Sequence, residues 1–466
     1  MPDLHVVILA AGKGTRMKSA LPKVLHRVGG LPMVEYVLRT ADRLYPRSRT
    51  VVVGHMQESV RQALAAHPDL TFVTQEPQRG TGDALLRTAP VLEHATGSIL
   101  LLSGDVPLLR PATLTRLIEQ HDQADAAATV LTAVVERPYG YGRIVRTAGR
   151  LSRIVEERDA SPAQRDIKEI NSGVYLFAVA PLYEALQGLA TQNAQGEYYL
   201  PDLIASYRRR KRRVEAVLAE SPDEILGINS RSELAEASRV VRHTKNEELM
   251  AAGVTIEDPD TTYIDQDVEV GPDTVIHPGV HLEGRTRIGS ACDIHAGVRI
   301  VNSVLEDRVT IRNFCLLDGA HLGSGSLIGP FAHLRPESRV GSEAHVGNFV
   351  ELKKTTLGAG SKANHLAYLG DATIGKRVNV GAGTITCNYD GERKHQTVIE
   401  DGLCVSAEDL GRTPDTTVTL SAYDFIRMAT GNAAVAPMFI RGKVKVKGDY
   451  SLAALFSSYF DIPKPV

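Results

Sequence analysis

The chain has 466 residues, of which 43% are hydrophobic and 23% are charged, and this composition excludes a wholly disordered chain. Its 53 basic and 55 acidic residues nearly cancel, so no overall field would recruit nucleic acid or an anionic membrane. Every apolar run is far shorter than the roughly 18 residues that cross a bilayer. The first run has no basic flank, and the four cysteines lack CxxC spacing. We therefore expect a cytoplasmic protein with reduced thiols, no signal peptide and no membrane span.

Residues 1–228 alternate apolar strands with helical patterns. The predicted strands are Leu4–Leu9, Thr50–Val53, Leu70–Thr74, Ser98–Leu102 and Ala127–Val134, and the predicted helices are Met33–Leu44, Glu58–His67 and Pro111–His121. This alternation indicates a mostly parallel, Rossmann-like α/β sheet that is covered on both faces. Ligands of such sheets bind outside the carboxyl ends of the strands.

A polar helix is predicted next, over Arg231–Ala252, with Ser230 as its N-cap and Gly253 as its stop. A helix at this place would join two domains. We therefore assign residues 229–252 to a linker.

A six-residue period follows the linker. Aliphatic residues recur at Ile264, Val270, Ile276, Leu282, Ile288, Ile294 and Ile300, and again at Leu316, Leu322, Ile328, Leu334, Val340, Val346 and Leu352; Ile374 and Val380 continue the pattern. Neither a helix nor an ordinary strand has this period, whereas a parallel β-helix with one inward residue on each of three sides does. We assign residues 253–410 to this β-helix. Residues 411–466 lose the period and are predicted to form strands at Thr416–Leu420 and Arg441–Lys447 and helices at Tyr423–Thr430 and Leu452–Phe460.

A glycine loop follows the first strand, in the sequence LAAGKGTRM, with LPK after it. Small residues let a backbone approach a nucleotide closely, and Lys13, Arg16 and Lys23 supply positive charge for a triphosphate. The loop fits neither the GxGxxG nor the GxxxxGKT motif. It predicts a nucleotide site of a different kind.

These motifs resemble the signature of sugar-nucleotide pyrophosphorylases. Together with the six-residue period, the chain from residue 4 to about residue 405 resembles the bacterial bifunctional N-acetylglucosamine-1-phosphate uridyltransferase/glucosamine-1-phosphate acetyltransferase family. Further matching segments are Gln75 with GTG at 80–82, SGDVPL, GYGRI, IVE, EINSG and GIN. The resemblance implies a left-handed β-helix, a homotrimer and two reactions on the route to UDP-N-acetylglucosamine, a precursor of cell-wall polymers.

The resemblance also implies roles for residues of the first domain. The UTP and UDP-N-acetylglucosamine site would comprise Leu9, Ala10, Ala11, Gly12, Lys23, Gln75, Gly80, Thr81, Ser103, Gly104, Asp105, Gly140, Glu156, Asn171 and Asn229. Asp105 and Asn229 would hold Mg²⁺, while Arg16 and Lys23 would offset charge that develops on the phosphates. A carboxylate and an amide oxygen suit a hard cation whose shell is completed by phosphates and water.

In the β-helix, the resemblance implies that His365 is the general base of acetyl transfer from acetyl-CoA, and that Glu351 orients it. The sugar phosphate would contact Arg335, Lys353, Tyr368 and Asn379, and the coenzyme would contact Ala382, Asn388 and Tyr389. The other histidines of this region show no metal-like partner pattern, and we interpret them as surface residues; they are His277, His281, His295, His321, His333 and His345.

The segment after Pro414 departs from the family and resembles half of a sterol-carrier-type lipid-binding domain, which makes lipid binding a minor hypothesis. It is either a natural replacement or the product of a fusion, and it replaces the family's coenzyme-binding tail. Two alternatives to a bifunctional enzyme therefore stay open: a uridyltransferase alone, and a non-catalytic β-helix scaffold. The basic run at residues 208–213 has little aromatic interleaving and predicts a solvated surface, not a nucleic-acid site.

Overall fold

The computed structural model describes residues 3–12, 14–400, 403–406, 416–421, 441 and 444–448. Two compact units make up the chain, Met1–Val241 and Arg242–Val466. The boundary falls inside the helix that the sequence predicts between the domains, which spans Arg231–Ala251. Ser230 caps this helix, because its Oγ accepts from the Glu233 N–H while Glu233 accepts from the Ser230 N–H. The four-part division at residues 228, 252 and 410 stays a prediction.

A nine-stranded sheet forms the centre of the first unit, in the order β11-β7-β10-β6-β1-β4-β5, with β8 paired to β10 and β9 paired to β8. Its strands are β1 (Leu4–Ala10), β4 (Ser48–Val53), β5 (Leu70–Thr74), β6 (Ser98–Ser103), β7 (Ala128–Val134), β8 (Arg143–Thr147), β9 (Arg150–Val155), β10 (Glu169–Ala178) and β11 (Val214–Leu218); β2 (Arg27–Val28) and β3 (Leu31–Pro32) pair separately. The helices are α1 (Met33–Asp42), α2 (Gln57–Ala63), α3 (Thr81–Leu86), α4 (Ala89–Leu92), α5 (Pro111–Ala124), α6 (Pro162–Arg165), α7 (Val179–Gln187), α8 (Asp202–Arg209) and α9 (Arg231–Ala251).

The sheet is covered on both faces, as predicted. Val6 and Ile8 of β1 enter one buried cluster, whereas Val7 between them enters the other. β1 and β6 run parallel with Leu9 opposite Ser103. The glycine loop after β1 and the Asp105 loop after β6 therefore leave the sheet at the same edge.

Three parallel ladders form the second unit, and each turn of the chain adds one strand to each ladder. Face 1 comprises β12 (Thr255–Ile256), β15 (Val275–Ile276), β18 (Asp293–Ile294), β21 (Thr310–Ile311), β24 (Leu327–Ile328), β27 (His345–Asn348), β30 (Lys362–His365) and β33 (Asn379–Val380). Face 2 comprises β13 (Tyr263–Ile264), β16 (His281–Glu283), β19 (Arg299–Val301), β22 (Leu316–Asp318), β25 (His333–Leu334), β28 (Glu351–Lys353) and β31 (Tyr368–Gly370). Face 3 comprises β14 (Glu269–Val270), β17 (Arg287–Ile288), β20 (Val304–Leu305), β23 (His321–Leu322), β26 (Arg339–Val340), β29 (Thr356–Leu357), β32 (Ala372–Ile374), β34 (Thr397–Glu400) and β35 (Leu403–Ser406).

The aliphatic period predicts this β-helix correctly, but one position of the predicted register is wrong. Leu316 was expected to point inward, yet it is 36% exposed, and its neighbour Leu317 is fully buried. The reason lies in the corner between face 2 and face 3, where the step between inward residues shortens to five. This happens at Ile300 to Leu305, Leu317 to Leu322, Leu352 to Leu357 and Leu369 to Ile374.

The parallel coils end in an antiparallel hairpin. β34 adds in parallel to β32, but β35 then turns back along β34. Beyond it, β36 (Thr416–Leu420) pairs antiparallel with β37 (Val444–Gly448), so the first predicted tail strand is confirmed and the second is shifted toward the C-terminus. The predicted helices at 423–430 and 452–460 lie outside the described residues. Within the described part of the chain, no helix has the length and apolar character of a membrane span.

Candidate active sites

Lys23, Asp105 and Asn229 meet at the carboxyl edge of the first unit's sheet. The Lys23 ammonium forms an ion pair with Asp105 and donates to Asn229 Oδ1 at 2.6 Å. Arg16 Nη2 donates to the same Oδ1 at 2.8 Å. A carboxylate oxygen and an amide oxygen thus converge on one cationic group. Oxygen ligands of these two kinds are the ones that Mg²⁺ prefers. The pair expected to hold the metal is close enough to share an ion.

Hydrogen bonds fix the positions of both candidate metal ligands, Asp105 and Asn229. Ser103 Oγ donates to Asp105 Oδ1 at 2.6 Å, and the Ile228 N–H donates to the Asp105 carbonyl at 3.0 Å. Asn229 Nδ2 donates to the Gly227 carbonyl at 2.9 Å. Because the amide N–H₂ is engaged there, Oδ1 is the atom that faces the cations. Lys13, the remaining predicted cation of the loop, lies outside the described residues.

A cavity of about 440 Å³ opens beside this cluster. It is lined by most of the predicted nucleotide residues, namely Leu9, Ala11, Gly12, Lys23, Gln75, Gly80, Thr81, Ser103 and Asp105. The predicted residues Ala10 and Gly104 are chain neighbours of this lining. Gly80 has a φ of +103°, and a Cβ there would lie 2.8 Å from the Tyr198 carbonyl oxygen, so this position requires glycine.

Gln75 is buried and oriented. Its Nε2 donates to the Gly80 carbonyl at 2.9 Å and to Asp83 Oδ2 at 2.8 Å. With both N–H donors engaged, Oε1 is the atom that can accept a hydrogen bond from a ligand. The N3–H of uracil is a donor of the matching kind.

Glu156 and Asn171 lie together near a second cavity. Glu156 lines this cavity of about 350 Å³ with Asp159 and Asp202. A Cβ on Gly142 would lie 3.2 Å from Glu156 Oε1 and 3.4 Å from Asn171 Cβ, so the two side chains flank the same backbone. Burial, with the charges of Asp159 and Asp202, raises the pKa of Glu156. The Gly140 N–H donates to Glu157 at 3.1 Å, not to Glu156.

In the second unit, His365 has a different partner from the one expected. Its Nδ1 lies 2.9 Å from Asn348 Oδ1, which is one coil away in register. Glu351, expected to orient His365, instead accepts from Arg335 at 3.0 Å. The Asn348 oxygen can only accept, so it keeps the proton of His365 on Nδ1 and leaves Nε2 as the basic nitrogen.

The predicted sugar-phosphate and coenzyme residues fall into a connected group and an outlying group. Asp371 links the residues of the connected group. It lies 3.7 Å from Lys353 Nζ and accepts a hydrogen bond from Asn388 Nδ2. Asn388 Nδ2 also lies 3.5 Å from the Tyr368 hydroxyl. Arg335 and Lys353 occupy successive coils of face 2. The outlying residues Asn379, Ala382 and Tyr389 are exposed.

Comparison with known proteins gives a consistent result. Residues 6–211 match the MobA-like NTP transferase domain. The chain is 49% identical to the bifunctional protein GlmU of Trichlorobacter lovleyi over 86% of its own length and 88% of that protein. GlmU of Syntrophotalea carbinolica is 51% identical over 87% of each chain, and that of Pelobacter propionicus is 46% identical over 88% of this chain and 89% of that one.

The chain belongs to the GlmU family. The family resemblance and the fold class inferred from sequence are thereby confirmed. The departure at the C-terminus is confirmed as well, because residues 376–461 match the SCP-2 sterol transfer family. That match begins well before the predicted boundary at residue 411 and overlaps the last strands of the β-helix.

Three residues of this GlmU-family chain were missed by sequence reasoning. Gln78 lines the first cavity and donates to the Ala11 carbonyl. Asn348 contacts His365, and Asp371 contacts Lys353, in each case from a neighbouring coil. A search for polar residues 17 or 18 positions apart, the length of one coil, would have found the last two.

Proposed function

We propose that the two units carry the two reactions of a bifunctional enzyme of UDP-N-acetylglucosamine synthesis. The first unit would transfer uridylyl from UTP to N-acetylglucosamine-1-phosphate. The second would acetylate glucosamine-1-phosphate with acetyl-CoA. The observation that carries the proposal is the convergence of Asp105 and Asn229 on the Lys23 ammonium. This intact cation-binding set disfavours the non-catalytic scaffold.

In the first reaction, a phosphate oxygen of the sugar phosphate attacks the α-phosphorus of UTP, and the bond to the departing pyrophosphate breaks. Lys23 and Arg16 offset the charge that develops on the phosphates. Asp105 and Asn229 would hold Mg²⁺, which supplies further charge neutralisation when bound. Gln75 Oε1 accepts from uracil, and Gly140, Glu156 and Asn171 bind the sugar. No protein nucleophile is needed.

In the second reaction, His365 Nε2 takes a proton from the glucosamine ammonium. The free amine attacks the thioester carbonyl of acetyl-CoA, and the C–S bond breaks to release the coenzyme thiol. Arg335 and Lys353 bind the phosphate of the sugar. Tyr368 and Asn379 would contact the sugar, and Ala382, Asn388 and Tyr389 the coenzyme.

We assign the exposed corner beside His365 to self-association in a homotrimer. Phe314, Phe331 and Phe349 stack on successive coils with ring centroids 5.4 Å apart. Leu366 follows Phe349 one coil further on, because Asn348 pairs in register with His365. These four side chains are 47–62% exposed. A contiguous apolar column of this kind is typical of a protein interface. Sedimentation velocity tests this assignment, and a monomer at micromolar concentration would contradict it.

A uridyltransferase without acetyltransferase activity is the second candidate. It is favoured by the end of the parallel coils at the β34–β35 hairpin and by the sterol-transfer match over 376–461. Lipid binding by the tail is a minor hypothesis, with the match as its support.

The test of the first reaction is pyrophosphate release from UTP and N-acetylglucosamine-1-phosphate during a Mg²⁺ titration. We expect Asp105→Ala to lower the rate by roughly 100-fold or more, because one charged metal ligand is lost. Asp166→Asn, on the exposed surface of the same unit, is the matched control and should leave the rate unchanged. Folded wild-type protein that releases no pyrophosphate would overturn the proposal.

A further inference from the structure

Two histidines and two carboxylates form a column near the start of face 1. Ile256, Ile276 and Ile294 are paired in register on β12, β15 and β18. The residues that follow them, Glu257, His277 and His295, are therefore stacked one coil apart, roughly 4.8 Å for each step. Asp293 precedes Ile294 on the same ladder. The sequence interpretation of both histidines as isolated surface residues did not take account of this stacking.

The two imidazoles converge on one carboxylate. His277 Nε2 lies 2.9 Å from Asp293 Oδ1, and His295 Nε2 lies 3.1 Å from Asp293 Oδ2. Ligand atoms of these three residues all lie within 4.8 Å of one another. Ligands about 2.0–2.1 Å from a tetrahedral Zn²⁺ are separated by about 3.3 Å. A small increase in the distances between Asp293 and the two imidazoles would therefore make room for the ion.

Glu257 supplies the support that a metal-bound histidine needs. Its Oε2 lies 3.0 Å from His277 Nδ1, on the opposite side of the ring from Asp293. If both contacts of His277 were hydrogen bonds, both ring nitrogens would need a proton. With a metal on Nε2, a neutral His277 satisfies both sides, since Nδ1–H donates to Glu257. This carboxylate–histidine–metal arrangement is a common feature of protein metal sites.

We propose that His277, Asp293 and His295 form a site for a divalent transition metal such as Zn²⁺, with Glu257 as the positioning residue of His277. Two imidazoles and one carboxylate leave a fourth position for water or another ligand. The side chains are 28–46% exposed, so an ion can reach them. The imidazole ligands distinguish this site from the all-oxygen Asp105–Asn229 pair, which suits Mg²⁺.

The experiment is calorimetric titration of the full, tag-free chain with ZnCl₂ at pH 7.5, with Mg²⁺ in excess to fill the first unit's site. We expect one Zn²⁺ per chain in the wild type and loss of that equivalent in His277→Ala/His295→Ala. His295→Gln, which keeps the size of the side chain, should also lose it. Glu257→Gln should weaken zinc binding by roughly 10–100-fold without changing the number of sites.

Two controls separate this site from other zinc ligands. His321→Ala removes a histidine from a different ladder, and Cys387→Ser removes an exposed thiol; both variants should bind zinc as the wild type does. Equal zinc binding by the wild type and the folded double variant would overturn the proposal, as would no zinc binding by either. An unchanged affinity in Glu257→Gln would overturn the role assigned to Glu257.

Discussion

His365 illustrates how a single side chain depends on the neighbouring coil. Its basic nitrogen is defined by Asn348, whose oxygen lies 2.9 Å from Nδ1. Asn348→Ala removes this acceptor, so the ring can rotate and adopt the other tautomer. We expect kcat for thiol release from acetyl-CoA to fall roughly tenfold or more, with little change in KM. Asn348→Asp, which keeps an acceptor, should retain most of the rate, and an unchanged kcat in Asn348→Ala would contradict the role.

The adjacent carboxylates Glu156 and Glu157 should affect stability in opposite directions. Burial raises the pKa of Glu156, so the folded state holds this proton to higher pH than the unfolded state does. Burial alone would also raise the pKa of Glu157, but hydrogen bonds from Arg143 and the Gly140 N–H, with the Arg143 charge, hold it below its usual value. The ionised form of Glu156 therefore destabilises the folded state, and that of Glu157 stabilises it.

At pH 7.5 we expect Glu156→Gln to raise the unfolding midpoint of the first unit and Glu157→Gln to lower it. The stability due to Glu157 is lost as the pH falls through its lowered folded pKa. The destabilisation due to ionised Glu156 appears as the pH rises from the pKa of this side chain in the unfolded state through its raised pKa in the folded state. Both differences from the wild type should shrink toward acidic pH, where wild-type and variant side chains are uncharged. Thermal unfolding across pH measures this, and shifts of the same sign would contradict it.

The family resemblance implied the residues of the first cavity, and the order of strands in the sheet explains why they meet. The loops after β1 and β6 reach the same edge, so Gly12 and Asp105 had to be near each other. The partners of His365 and His277 were not predictable in this way. They lie about one coil away along the chain, where only the register of the ladders decides which side chains touch.

At the scale of elements, the aliphatic period predicts the β-helix but not the length of its corners. A mean step of six residues places Leu316 inside, whereas the five-residue corner after β22 makes Leu317 the inward residue. Corner length depends on how the chain turns between two faces, and the hydrophobic pattern does not encode that turn directly.

This register gives a matched pair of variants. Leu317→Ala leaves a cavity in a close-packed core and should cost about 3 kcal/mol. Leu316→Ala changes a partly exposed side chain and should cost less than about 1 kcal/mol. Urea unfolding followed by circular dichroism compares the two. A larger loss in Leu316→Ala would show that the predicted six-residue register was right.

At the scale of the whole molecule, each set of residues proposed to act in one reaction belongs to one unit. Arg16, Lys23, Asp105 and Asn229 lie within Met1–Val241, and His365 lies within Arg242–Val466. The fold of both units was predictable because alternation of strands and helices and a six-residue period are strong, local signals. The C-terminal departure was visible in the sequence as the loss of that period and as the resemblance to half of a sterol-carrier-type domain.

The central claim is that one chain carries two independent active sites, and the most direct measurement assays both half-reactions on the same purified samples. Wild-type protein should release pyrophosphate from UTP and thiol from acetyl-CoA. Asp105→Asn should lose only the first activity, and His365→Ala only the second. Thiol release that is absent from the wild type, or unaffected by His365→Ala, would contradict the second site; loss of both activities in either folded variant would contradict their independence.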